Sequence, residues 1–236
     1  MREIYAGTSG WAYGSWRPGF YPAKLSAARF LSHYAGRLNS VEVNYTFRRI
    51  ASEELLLRWA EATPADFQFA VKTHQRITHI KRLRDVAEPT AEFLASLEPL
   101  RKAKKLGPVL FQLPPNSKCD VVRLREFLAG LPSWLRAAFE FRHESWFGEE
   151  VCAALRKAGA ALCLAESEEL ATPEVVTADF NYLRLREQSY STNAVAQKVR
   201  RLARSGDVFV YFKHEETPEG ALGAEALLRA VRNRKT

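Results

Sequence analysis

Apolar runs of strand length alternate with stretches of helical periodicity along this chain. Runs at 3–8, 40–45, 67–72, 108–113, 137–142, 161–165, 181–186 and 207–213 read as strands. Helical patterns separate them. Ser26 to Gly36 has Ser26 as a candidate N-cap, and Glu53 to Ala62 follows Ser52. A long pattern runs from Pro89 to Leu106, with Gly107 as a candidate C-terminal cap. Val121 to Leu131, Gly148 to Ala158, Thr192 to Ser205 and Gly223 to Arg232 complete the set, and 166–180 carries only weak helical signal.

Strand alternating with helix predicts a parallel sheet covered by helices. Eight such units in 236 residues predict an α/β fold. The expected form is a (β/α)8 TIM-type barrel, one domain over 1–236, close to the roughly 250 residues typical of that fold. Neither G-x-G-x-x-G nor G-x-x-x-x-G-K-[ST] follows the first strand, so an open nucleotide-binding sheet is disfavoured and no cofactor is implied. There is no internal repeat, low-complexity segment or interdomain linker. Trp16-Arg17-Pro18-Gly19-Phe20-Tyr21-Pro22 and Leu113-Pro114-Pro115-Asn116 read as loops after strands.

Alternation of period two then sorts each strand into two faces. Val41 and Val43 face one way, Glu42 and Asn44 the other. Lys72 shares a face with Gln68 and Ala70. Val109, Phe111 and Leu113 leave Gln112 inward; Phe139 and Phe141 leave Glu140 and Arg142; Leu183 and Leu185 leave Arg184 and Arg186. Phe212 opposes Tyr211 and Lys213. Six strands thus carry a polar residue on one face near their C-terminal ends, where a parallel barrel places its ligand site. Charges on a buried strand are costly unless paired or used. Glu42 and Glu140 are outnumbered there by Lys72, Arg142, Arg184, Arg186 and Lys213, which predicts a small anionic ligand bearing phosphate or carboxylate. A stabilising Glu–Arg and Glu–Lys network at the barrel top is the alternative.

Composition changes this picture little. Apolar residues are 47% and charged residues 26%, as in ordinary globular proteins. No stretch approaches the roughly 20 apolar residues of a membrane span, so no membrane partner is expected. Met1-Arg2-Glu3-Ile4-Tyr5 begins as a strand and lacks a signal-peptide core, which predicts a cytoplasmic protein. Cys119, Cys152 and Cys163 are odd in number, widely spaced and without metal-ligand spacing, so they read as reduced thiols. The net charge of +8 permits nucleic acid or an anionic substrate. Much of the excess sits in Arg101-Lys102-Ala103-Lys104-Lys105, Arg200-Arg201-Leu202-Ala203-Arg204 and the tail from Arg229 to Lys235. These read as solvated helix faces and a frayed terminus.

A series of motifs recurs in order along the chain. It runs Gly7-Thr8-Ser9-Gly10-Trp11, then Val41-Glu42-Val43-Asn44-Tyr45-Thr46-Phe47 with Arg49, then Phe69-Ala70-Val71-Lys72 with Ile77-Thr78-His79. Leu110-Phe111-Gln112-Leu113-Pro114-Pro115 and Phe139-Glu140-Phe141-Arg142-His143-Glu144-Ser145-Trp146 follow. Tyr182-Leu183-Arg184-Leu185 and Val210-Tyr211-Phe212 close it. Nearly end to end, this resembles the YecE-like family, domain of unknown function 72. The resemblance implies a TIM-type barrel in a bacterial or archaeal cytosolic protein, and it supplies no established reaction. The chain departs from the family pattern at Arg48 (Tyr expected), Arg186 (His), Lys213 (Asn) and Glu166 (Asp nearby).

The expected function is an enzyme on a small anionic, phosphate- or carboxylate-bearing or sugar-like molecule. Glu140 or Glu42 would be the acid or base, Lys72 and Arg142 would stabilise negative charge, and His79 or His143 would shuttle a proton. Asn44, Gln112, Arg142, His143, Arg184, Arg186, Tyr211, Trp11 and Trp146 would line the ligand site. A glycosidase with Glu42 and Glu140 and a metal-dependent phosphoesterase with Glu42, His79, Glu140 and His143 are further readings. Against the second, HxH and HExxH are missing and nearby cations would repel a metal, so none is expected. A different class is non-catalytic nucleic-acid binding, with Trp11, Tyr13, Trp16 and Trp146 stacking bases above a basic mouth. Their other reading is a hydrophobic lid. The oligomeric state is not legible.

Overall fold

The computed structural model describes residues 2–166, 170–187, 190–213 and 216–232. The strands are β1 (Ile4–Thr8), β2 (Ser40–Val43), β3 (Gln68–Lys72), β4 (Leu106–Gln112), β5 (Ala137–Glu140), β6 (Ala161–Ala165), β7 (Phe180–Leu185) and β8 (Asp207–Phe212). All pair in parallel, in the order β1-β8-β7-β6-β5-β4-β3-β2. The helices are α1 (Phe30–Ala35), α2 (Glu53–Glu61), α3 (Ala87–Ser96), α4 (Glu98–Lys102), α5 (Val121–Ala129), α6 (Glu149–Ala158), α7 (Thr192–Leu202) and α8 (Glu219–Arg232). Together they form a single-domain (β/α)8 TIM-type barrel. Among the described residues no helix is long and apolar enough to cross a membrane.

The barrel closes between β1 and β2 on side chains rather than a full backbone ladder. The Thr8 amide donates to the Tyr34 hydroxyl (2.8 Å), which itself donates to the Ser40 carbonyl (3.0 Å). Asn39 accepts from the Ala6 amide and donates to the Ile4 carbonyl. Gly7 is required at this seam, because a Cβ there would lie 1.9 Å from the Ser40 carbonyl oxygen.

Two helical expectations need correction. The pattern from Pro89 to Leu106 is broken at Leu97 into α3 and α4, because Pro99 has no N–H to continue an α-helical ladder. The chain then turns at Lys104, whose φ is 59°, so Gly107 lies inside β4 rather than capping a helix. Ser26 precedes a short turn at Ala27–Arg29 and makes no side-chain cap. Ser52, Asp120 and Ser191 do cap α2, α5 and α7. Lys105 also leaves the expected solvated run: it is buried, and its Nζ donates to the carbonyls of Ala60 and Thr63. Of 166–180, residues 167–169 lie outside the described residues, and 170–179 form neither helix nor strand. Asn233, Arg234 and Lys235 of the basic tail also lie outside them.

Two packed regions follow from the alternation. Outward residues such as Val41, Phe69, Phe111, Phe139 and Leu183 form the large core under the helices. Inward residues form a second cluster inside the barrel: Phe180, Tyr182, Phe209 and Tyr211, with Tyr5 packed against it. The inward face of β6 is Ala161, Cys163 and Ala165, and Ala70 and Ala138 are also inward. These small side chains leave room for the aromatic rings that β7 and β8 send across. Tyr5 stacks on Phe209 with centroids 4.6 Å apart. Ser40 donates its one hydroxyl proton to the Gln68 carbonyl, so Tyr211 is the donor in its 2.7 Å contact with Ser40.

Candidate functional site

Above the aromatic plug, toward the C-terminal ends of the strands, the interior becomes ionic. Arg184 on β7 lies between two carboxylates. Its Nη2 donates to Glu42 Oε1 (2.7 Å) and its Nη1 to Glu140 Oε2 (2.5 Å). Arg186 Nη2 donates to the other Glu140 oxygen at 2.6 Å. Glu42 also accepts from Ser9 Oγ and from the Tyr182 hydroxyl, both at 2.7 Å. Glu42, Glu140 and Arg184 are at most 2% exposed. Two carboxylates and two guanidiniums thus form a closed, charge-balanced layer across the barrel.

Burial alone would raise the Glu140 pKa, but the charges of Arg184 and Arg186 outweigh it and hold the group down at about 2. Glu140 therefore stays ionised at ordinary pH. A carboxylate so stabilised is a poor proton acceptor, and its oxygens are already bound to guanidiniums. This placement runs against the acid–base role expected for it, and Glu42 is equally occupied.

A cavity of about 560 Å³ opens above this layer. Asn44, Tyr45, Phe47, Arg48, Arg49, Lys72, Gln112, Arg142, Arg184, Arg186 and Lys213 line it. Seven of these are Lys or Arg, and none is Asp or Glu. Arg184 and Arg186 are neutralised from below. Lys72, Arg142, Arg48 and Arg49 have no carboxylate within ion-pair distance among the described residues. Asn44 Oδ1 and the Nε atoms of Arg184 and Arg186 are buried without a partner among those residues. Arg48, Arg186 and Lys213, the positions expected to depart from the family pattern, all fall in this one wall.

Lys72 ends β3 and is half-buried, with Nζ 4.1 Å from the centroid of the Phe47 ring. Burial, and then the charge of Arg184, lower its pKa from the ordinary 10.5 to about 8. His79 sits in a π-helical turn at Arg76–Ile80, its ring edge-on to Phe47 at 4.7 Å. Burial, then Lys72 and Arg142, push its pKa down to about 4, so it is neutral near pH 7. It is therefore not the near-neutral proton shuttle expected for an unperturbed imidazole.

Other expected site residues lie elsewhere. His143 Nδ1 accepts from the Ser145 amide and caps the turn at Glu144–Trp146, outside the cavity wall. Trp146 is 3% exposed, stacks on Phe141 at 4.4 Å and donates to the Ser117 carbonyl. Trp16 is fully buried, and Trp11 packs edge-on against Trp59. These three tryptophans pack loops instead of lining the cavity, so Trp16 and Trp146 offer no surface for stacking bases. Tyr211 belongs to the plug. Among the described residues no group of three His, Cys, Asp or Glu side chains could hold a metal ion. Glu42, His79, Glu140 and His143 do not converge.

Two members of the ionic layer escaped the sequence reading, Ser9 and Tyr182. Tyr182 is in phase with Arg184 and could have been placed inward by alternation. Ser9 lies just past β1, where alternation gives no direction. Its loop is fixed by the Gly10 amide donating to the Glu42 carbonyl at 2.9 Å. Tyr45, Phe47 and Arg49 were likewise missed as cavity wall, because they follow a strand end, in and just past a turn at Tyr45–Phe47; Arg48 was expected at the mouth only as a departure from the family pattern.

The family model described as "Protein of unknown function DUF72" matches residues 5–236, and the chain belongs to this family. It is 33% identical over 150 residues to the UPF0759 protein YecE of Escherichia coli (strain K12), covering 62% of this chain and 52% of that protein. It is 32% identical over 154 residues to the UPF0759 protein YunF of Bacillus subtilis (strain 168), covering 61% and 52%. The chain thus spans about half the length of the curated relatives it matches. Among solved structures, it resembles a DUF72 family protein from Thermotoga maritima MSB8 with TM-score 0.87 and 26% identity, over 98% of this chain and 99% of that one. A DUF72 family protein from Enterococcus faecalis V583 shares the fold at TM-score 0.83 and 19% identity, over 97% and 95%.

Proposed function

We propose, for a chain of this family, that the C-terminal mouth of the barrel is the active site of an enzyme acting on a small anionic molecule. The ligand class is phosphate- or carboxylate-bearing. The observation that carries this reading is the cavity wall, with seven cationic side chains and no acidic one. Among the described residues, the carboxylates that ion-pair with this wall are Glu42 and Glu140, held beneath it by Arg184 and Arg186. Of the wall cations, Lys72, Arg48, Arg49 and Arg142 have no carboxylate partner among the described residues, and an anion entering the cavity relieves their mutual repulsion. A neutral sugar needs no such wall, which disfavours the glycosidase reading.

Arg142, Arg48 and Arg49 would bind the anionic group with planar, bidentate donors. Asn44 and Gln112 would orient the uncharged part. Glu42 and Glu140 act as positioning residues here, since they aim Arg184 and Arg186 and do not reach the cavity. The test is thermal stabilisation by inorganic phosphate at matched ionic strength, in the wild type and an Arg49→Ala, Arg142→Ala variant. The expected result is a shift in the wild type that the variant largely loses. Equal shifts in both would remove the reading.

A further inference from the structure

Lys72 differs from its cationic neighbours in what surrounds it. It is the last residue of β3, opposite Leu110 of β4, and its carbonyl accepts from Thr46 Oγ1 at 2.7 Å. The backbone that carries it is therefore fixed. Its Nζ has no hydrogen-bond acceptor or ion-pair partner among the described residues, and one side is covered by the Phe47 ring. The two carboxylates that could have held it as a structural ammonium are taken up by Arg184 and Arg186. Arg184, also held by a strand, has its charge paired from below through both Nη atoms. Lys72 is the strand-held amine left facing the cavity.

We propose that Lys72 is a covalent nucleophile that forms an imine with the carbonyl group of an anionic aldehyde, ketone or 2-oxo acid. This rests on the anion-binding reading of the same cavity. The neutral amine attacks the carbonyl carbon, and the C=O π pair moves to oxygen, which takes up a proton. The nitrogen loses a proton, giving a carbinolamine. That intermediate takes up one further proton from solvent on its hydroxyl, expels it as one molecule of water and leaves the protonated imine. Nothing is oxidised or reduced. The surrounding arginines hold the anionic group and stabilise the developing alkoxide. The lowered pKa of Lys72 agrees with this, because a larger share of the amine is neutral near pH 7 than for an ordinary lysine.

The experiment exposes the full chain to glyceraldehyde 3-phosphate with cyanoborohydride, which reduces an imine to a stable secondary amine. Peptide mapping then locates the label. Neutral glyceraldehyde is the control, and phosphate binding is measured in parallel by thermal shift. The expected result is labelling of Lys72 at least ~10-fold faster than any other lysine. That labelling should be suppressed by inorganic phosphate, and its rate should rise with a midpoint near pH 8. Neutral glyceraldehyde should show no preference for Lys72. If phosphate binds but the label spreads over surface lysines or spares Lys72, the imine is overturned and the anion site stands. If phosphate neither binds nor protects, and Lys72 is not preferred, both fall.

Discussion

The two halves of the barrel interior are built by the same strands and held together in opposite ways. The lower half is a plug of Tyr5, Phe180, Tyr182, Phe209 and Tyr211 against small residues of β6. Its cohesion is area removed from water and close contact, which is non-directional and indifferent to pH. The upper half is the layer of Glu42, Glu140, Arg184 and Arg186. Its stability depends on every charge keeping its partner, because each was taken out of water at a large cost. The two meet at Tyr182, whose ring lies 5.2 Å from Tyr211 and whose hydroxyl donates to Glu42. The plug thus serves as the floor on which a charged site is assembled. Losing a side chain from the apolar half leaves a cavity, whereas losing one from the ionic half leaves a buried charge short of a partner.

The largest effects should come from breaking each half separately. Arg184→Ala leaves buried Glu42 without a counter-charge and Glu140 with Arg186 alone, and should cost about 3–5 kcal/mol at neutral pH. Phe209→Ala opens a cavity in the plug and should cost a comparable ~3–5 kcal/mol. Urea denaturation at several pH values separates the mechanisms. Glu140 has its folded pKa depressed to about 2 from 4.5, so its contribution is present above about pH 4.5 and lost as pH falls toward 2. The Arg184→Ala deficit should therefore shrink over that window, while the Phe209→Ala deficit should not change. Parallel pH dependence in the two variants would contradict the contrast.

Glu140→Gln should rank next. It keeps the shape but leaves Arg184 and Arg186 short of a counter-charge, so stability should fall by roughly 2–4 kcal/mol. If instead the variant is as stable as the wild type, the layer does not depend on charge balance. Tyr182→Phe tests the junction. It removes one hydrogen bond to a buried carboxylate while leaving the ring in the plug, and should cost about 1–3 kcal/mol. A loss below ~0.5 kcal/mol would show that Ser9 and Arg184 suffice for Glu42.

The smallest stability effect should belong to Lys72→Met, although its functional effect should be complete. The Lys72 pKa is depressed from 10.5 to about 8, so between those values the unfolded chain binds the proton and the folded one does not. The wild type should therefore gain stability relative to Lys72→Met as pH rises from about 8 to about 10.5. Denaturant midpoints across that range check the sign.

The sequence by itself determined the barrel and the sidedness of its strands. Length, alternation and the position of apolar runs are local quantities. They placed Glu42, Lys72, Gln112, Glu140 and Arg184 on one inner face without reference to any contact. Period two assigns a face, however, and says nothing of depth along the barrel axis or of the partner across it. Arg184 meets Glu140 over a separation of 44 residues and Glu42 over 142. Those distances depend on how eight strands stagger, a property of the closed sheet. Only tertiary structure could therefore put Glu42 and Glu140 below the cavity floor, neutralised, and leave Lys72 above it. The same holds for His79, made neutral by cations from other elements, and for Trp16 and Trp146, whose loops fold back and bury them. Where a strand ends, alternation ends with it, so the residues following Asn44 and Thr8 acquired their places only from the contacts that fixed their turns.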